Sequence, residues 1–156
     1  MAITVKDVHA VEILDSRARP TLAVTLTSTS GAVARAGVPS GASTGSREAV
    51  ELRDGDKSRF GGLGVRRAVA NVNGEVAEAL RGRTFADLAE IDGLLVDLDG
   101  TEDKSRLGAN ATVGVSMAAA RAISVTAGVP LWSTFASPGT APRLPVPHFN
   151  VVNGGV

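Results

Sequence analysis

Thr21-Leu22-Ala23-Val24-Thr25-Leu26-Thr27 decides the fold. Leu22, Val24 and Leu26 alternate with hydroxyl-bearing or small residues, the period of two that marks a strand with one buried face. On its amino-terminal side, Ile3 to Leu14 carries apolar residues at 3, 5, 11 and 13 and predicts a second strand. On the other side, Ser28-Thr29-Ser30-Gly31 predicts a turn, and Ala32 to Val38 a short third strand. These connections are too short for crossover helices, so the three strands are expected to form an antiparallel meander.

Past the meander the period lengthens. Val65, Ala68, Val69, Val72, Val76, Ala79 and Leu80 fall on one helical stripe, with Arg66, Arg67, Asn73 and Glu78 facing away and a stop near Gly82. Thr84 is the expected N-cap of a second helix, with Phe85, Leu88, Ile91, Leu95 and Leu98 buried and Gly100 as its stop. A third helix begins around Asn110, bears only Arg121 as a charge, and ends at Gly128 and Pro130. It is apolar on most sides and is expected at the centre of the helical layer. Residues 130–137 predict a short further helix, Pro138-Gly139-Thr140-Ala141-Pro142 a linker, and Leu144 to Val152 another strand. Strands first and helices after argue for α+β, with a helical layer on one face of an antiparallel sheet.

At 156 residues, the chain has the size of one domain. Sixteen basic residues balance sixteen acidic ones, which speaks against a nucleic-acid face. The absence of cysteine excludes disulfides, thiol catalysis and thiolate metal sites, and fits a reducing cytoplasm. The segment from Leu107 to Val129 is interrupted by Asn110, Thr112, Ser116, Arg121, Ser124 and Thr126, so a buried helix is expected rather than a membrane span. The amino terminus has no apolar run of signal-peptide length.

Between meander and helices lies Val38-Pro39-Ser40-Gly41-Ala42-Ser43-Thr44-Gly45. Its glycines allow close approach to a ligand, and Ser40, Ser43 and Thr44 supply hydroxyls that bind oxyanions or a hard cation. Around it stand Ile13-Leu14-Asp15-Ser16-Arg17, Pro20-Thr21, Glu51-Leu52-Arg53-Asp54-Gly55-Asp56-Lys57-Ser58, Leu98-Asp99-Gly100-Thr101, Lys104-Ser105, Leu107-Gly108-Ala109-Asn110-Ala111 and Leu144-Pro145-Val146-Pro147. In that order and at those intervals, the chain resembles the amino-terminal part of the enolase family from about Ile3 to Gly155.

The resemblance implies an α+β amino-terminal domain over 1–138, then over 139–156 a linker and the start of a β/α barrel that is otherwise absent. A barrel needs ~250 residues. It implies a Mg²⁺-dependent lyase of glycolysis, cytoplasmic and homo-oligomeric (a dimer or larger), dehydrating 2-phosphoglycerate to phosphoenolpyruvate. The family's base lysine, acid glutamate and metal-binding carboxylates come from barrel strands past Val156, and its active-site histidine follows an Asn-Gly-Gly turn that is present here as Asn153-Gly154-Gly155, one residue before the last. No catalytic residue carries over, and the chain alone is expected to be inactive. Ser40, Gly41, Ala42 and Ser43 match a substrate-side lid loop, with Ser40 a ligand of the second Mg²⁺. Glu48 and Arg53 are expected to fix the base of that loop, and Asp15 and Arg17 match a dimer-contact segment or form a local salt bridge.

The remaining candidates read as structural. Asp54 with Asp56, Asp97 with Asp99, and Glu102 with Asp103 are the close acidic pairs, in patterns that suit turns better than metal sites. His9 and His148 stand at no ligand or dyad spacing. One departure matters: enolases carry Gly-Asn before Pro-Thr, where this chain has Ala18-Arg19. Alanine tolerates a positive φ poorly, which puts the geometry of that turn in question. The departure leaves open a relative acting on a phosphonate analogue, and a free-standing, non-catalytic module binding an enolase subunit or another partner is the alternative from a different class.

Overall fold

The computed structural model describes residues 2–41, 45, 48–137, 139–149 and 151. β1 (Ile3–Leu14), β2 (Pro20–Ser28) and β3 (Val33–Gly37) form the expected antiparallel meander. Their alternation puts Val8, Ala10, Leu22, Val24, Leu26, Ala34 and Ala36 on one face, where all are buried. The opposite face carries His9, Val11, Val33 and Arg35, all exposed. The helices therefore cover one side only.

The sheet also gains a fourth strand. β4 (Thr84–Phe85) pairs antiparallel with β1 through Ile3 and Thr4, giving the order β3-β2-β1-β4. Thr84 is thus in the sheet and not at a helix N-cap. That role falls to Asp87, whose Oδ1 accepts from the Glu90 N–H, while Glu90 Oε2 accepts from the Ala86 N–H. The pair is a variant of the capping box in which the glutamate reaches the residue before the N-cap, and it satisfies two otherwise free amides at once.

The first helical stretch is broken into α1 (Arg66–Asn71), a π-helical turn (Val72–Val76) and α2 (Ala77–Leu80). The turn is built around Gly74 at φ −96° and ψ −109°. One residue more per turn moves the register. Asn73, expected to face away, is exposed but turns its amide onto the free edge of β1. It accepts from Ala10 N–H at 2.6 Å and donates to Ala10 O at 3.0 Å, standing in for a neighbouring strand.

α3 (Leu88–Asp99) buries Ile91 and Leu95 and stops at Gly100 in the left-handed conformation. α4 (Ala109–Ala127) is the central helix, and Gly128 ends it, also left-handed. It lies across β2 and β3 with α3 on its flank. Small residues let it come close: Ala111, Ala118, Ala119 and Ala122 are fully buried, and a Cβ on Gly114 would sit 2.8 Å from Val24 Cγ2. No helix among the described residues is long and apolar enough to cross a membrane. A 3₁₀ turn (Leu131–Thr134) supplies the short last helix.

Residues 144–149 do not form the expected strand. They are exposed, with Leu144 at 98%. An alternating pattern makes a strand only where an edge is available to pair with, and none of the sheet reaches this segment. Asn150 and residues 152–156, which include the Asn-Gly-Gly turn, lie outside the described residues.

Candidate functional site

β3 delivers the chain to Ser40 at one end of the sheet. Val38 stays in register through its N–H to Leu22 O at 2.9 Å, and the buried Thr21 hydroxyl donates to Val38 O at 2.8 Å. Ser40 then stands half-buried and Gly41 exposed at the wall of an open depression of about 650 Å³. Glu51 and Arg53 form a second wall, and Asn110 and Val113 of α4 a third, with Arg19 and Leu63 also lining it. Of the four loop residues singled out from sequence, Ser40 and Gly41 are placed. Ala42 and Ser43 lie outside the described residues.

Two guanidinium groups meet on Ser40. Arg53 Nη2 donates to Ser40 Oγ at 2.9 Å, and Arg17 Nη2 donates to Ser40 O at 3.0 Å. Arg53 is itself tied down: its Nη1 donates to Pro20 O and Leu63 O, both at 2.6 Å, and its Nη2 also reaches Glu51 Oε1 at 2.6 Å. One planar fork thus joins the start of β2, the 60s loop and Ser40, a geometry that lysine could not reproduce. Arg53 does fix the base of the loop. Glu48 takes part through its main chain, with its N–H donating to Gly45 O at 3.2 Å.

Asp15 organises the turn that carries Arg17. Its Oδ1 accepts from the Arg17 and Arg19 N–H groups at 2.8 and 2.9 Å, and its Oδ2 from the Arg17 guanidinium at 3.2 Å. The Arg19 N–H is the largest influence on this carboxyl; with the Arg17 contacts it outweighs burial and holds the group below the usual carboxylate range. The questioned turn exists with Ala18 at φ +57°. A left-handed alanine is strained by ~1–2 kcal/mol, and a glycine recovers most of this after its own unfolded-state entropy cost. Ala18→Gly is therefore expected to raise unfolding stability by about 0.5–1 kcal/mol in urea titrations; no change would mean the turn relaxes to negative φ.

The third wall rests on Asn110, which is buried. Its Oδ1 accepts from Leu52 N–H and its Nδ2 donates to Leu52 O, both at 3.1 Å, so the side chain pairs with a backbone as a strand would. Ala109 N–H donates to Val50 O at 2.8 Å, completing the splice between residues 50–52 and α4. The only sequence signal for this was a lone amide in the first turn of an apolar helix.

The other candidates are not brought together. Asp54 accepts from the Arg66 and Arg67 N–H groups at the start of α1, and Asp56 from the Ser58 N–H and hydroxyl. Asp99 is buried while Asp97 points to solvent, and Asp103 accepts from the Ser105 N–H. His9 and His148 are exposed. Among the described residues, no group of three His, Cys, Asp or Glu side chains could hold a metal ion.

An α+β domain with an antiparallel meander, a one-sided helical layer and a serine loop at the sheet's end is the class this geometry defines. A model of the enolase amino-terminal domain matches residues 5–135, and the chain belongs to that family. Over all 156 residues it is 54% identical to Enolase of Streptococcus thermophilus and to Enolase 2 of Lactococcus lactis subsp. lactis (strain IL1403). It is 53% identical to Enolase 2 of Pseudomonas syringae pv. syringae (strain B728a). The chain spans 36% of the length of each of these three relatives.

Proposed function

We propose that these residues are the amino-terminal domain of an enolase that dehydrates 2-phosphoglycerate to phosphoenolpyruvate in the glycolysis of the cytoplasm. The observation that carries this reading is the 54% identity to an enolase along the whole chain. Residues 1–138 are the α+β domain, and 139–156 a linker and the beginning of the barrel domain. The exposed outer face of the meander, with Val11 and Val33 on it, suits assembly into a dimer or larger.

Within that enzyme, Ser40, Gly41, Ala42 and Ser43 form the substrate-side loop. Ser40 offers two hard oxygens, Oγ and the main-chain O, the donor type that Mg²⁺ prefers. When bound, the ion supplies Lewis-acid stabilisation of the negative charge that develops as the proton beside the substrate carboxylate is removed. This domain's own part is to bring Ser40 to the substrate on a rigid base. The base, the acid and the main carboxylate ligands are assigned to the barrel domain, and the 156-residue chain by itself is inactive.

A coupled assay for phosphoenolpyruvate tests the reading in the full-length protein. Activity is expected there and none from the 156 residues alone; the opposite pattern overturns the assignment. Ser40→Ala removes a ligand that water replaces imperfectly, so kcat/KM is expected to fall by about tenfold, equivalent to ~1.4 kcal/mol, with partial recovery at high Mg²⁺. Kinetics unchanged across a Mg²⁺ titration would remove Ser40 from the site.

A further inference from the structure

We propose that Arg17 and Arg53 are positioning residues that hold both oxygens of Ser40 against a cation, and so set how tightly the second Mg²⁺ binds; this rests on the reading of Ser40 as a ligand. Each guanidinium donates only and is always charged. With Arg17 Nη2 3.0 Å from Ser40 O and Arg53 Nη2 2.9 Å from Ser40 Oγ, each oxygen already accepts from a positively charged donor. A divalent cation held by those oxygens would share them with two like charges. Ligation is therefore an exchange of partners: Ser40 gives up two charged hydrogen bonds before it gains the metal.

The two arginines are held differently, which decides what moves. Arg53 is fixed by Pro20 O, Leu63 O and Glu51, so Ser40 must leave Arg53. Arg17 has a 40% exposed side chain and, among the described residues, only Asp15 as a second partner, so its guanidinium can swing into solvent. Arg53 thus sets a fixed part of the cost and Arg17 a part that mutation removes without disturbing the frame. The Asp15 turn survives loss of the Arg17 side chain because it is tied by main-chain N–H groups.

The test is a calorimetric Mg²⁺ titration of the full-length enzyme saturated with phosphoenolpyruvate. Arg17→Met is expected to lower the apparent Kd of the second ion by about three- to tenfold, the size of one charge-assisted hydrogen bond at a half-exposed site. Arg53→Lys, which keeps the charge but loses the fork, is expected to shift it in the same direction. In a Ser40→Ala background, Arg17→Met should change the Kd by less than about twofold. If Arg17→Met leaves the titration unchanged while Ser40→Ala weakens it, the exchange is wrong and the ligand reading stands. If Ser40→Ala itself changes nothing, the ligand reading fails and takes this proposal with it.

Discussion

Gly108→Ala is expected to lower the unfolding free energy of the chain by about 3–5 kcal/mol. Gly108 precedes α4 at φ +98° and ψ 131°, a backbone conformation that L-residues rarely adopt. That alone costs of order 1–3 kcal/mol. An added Cβ would lie 2.6 Å from Leu52 Cβ and 2.5 Å from Asn110 Oδ1, neither of which is the loose end of a flexible side chain. Relief requires parting Asn110 from Leu52, and the exposed halves of that buried amide pair cost a further ~1–3 kcal/mol. Gly128→Ala supplies the control: Gly128 is also left-handed, at φ +64°, but nothing lies within 4 Å of its Cβ position. It should cost only ~1 kcal/mol. Equal losses for the two variants in urea unfolding would show that the contact of residues 50–52 with α4 is loose. Domains carry only ~5–15 kcal/mol in all, so the predicted loss would leave little.

What the sequence made legible was what repeats locally. The alternation over Leu22–Thr27 gave β2 its buried face, and the turn at 28–31 fixed the direction of β3. Gly100 and Gly128 end their helices in the left-handed conformation that only glycine adopts cheaply. The failures are equally physical. Counting Phe85 as part of a helical face hid a two-residue strand and passed over Asp87 and Glu90, although their spacing of three is a capping-box signal. Counting 3.6 residues per turn through Gly74 hid the π turn that turns Asn73 onto Ala10. A periodicity has no means of showing where an extra residue is inserted.

The site was legible as a list of hydroxyls and glycines, with Glu48 and Arg53 expected at its base. Ser40 was picked out by residue type and by resemblance, but its partners stand 23 and 13 positions away in the chain. Arg17 read equally well as half of a local salt bridge, and Arg53 was expected under the loop without its partners being named. Only the fold brings them onto one serine. The same holds for Asn110, whose value as a buried bridge depends on a loop 58 residues earlier.

Asp99→Ala is the other large loss expected, at about 2–4 kcal/mol. Read from sequence, Asp99 was half of an acidic pair at a helix stop. In the structure it is 2% exposed, and Oδ1 accepts from the Thr101 N–H at 3.0 Å and from the Thr101 hydroxyl. Oδ2 accepts from the Leu107 N–H at 2.8 Å. The carboxylate thereby closes the loop from α3 to α4 and holds Leu107, which is fully buried, at the head of the segment that leads into Gly108 and Asn110. Alanine would strand the Leu107 amide in the core and release the loop. Burial pushes the Asp99 carboxyl up, but the Thr101 hydroxyl, the Leu107 and Thr101 N–H groups and nearby Lys104 together outweigh it and hold the group below its ordinary value of 3.8. A carboxyl whose folded value is depressed stabilises the fold fully above the unfolded value, and that contribution fades as pH falls through the folded one. The parent should therefore lose stability on acidification below about 3.8, where Asp99→Ala, already without the carboxylate, loses less. Unfolding curves for the two proteins, taken from neutral pH into the acid range, should converge. Parallel curves would mean that the Asp99 hydrogen bonds do not favour the ionised form.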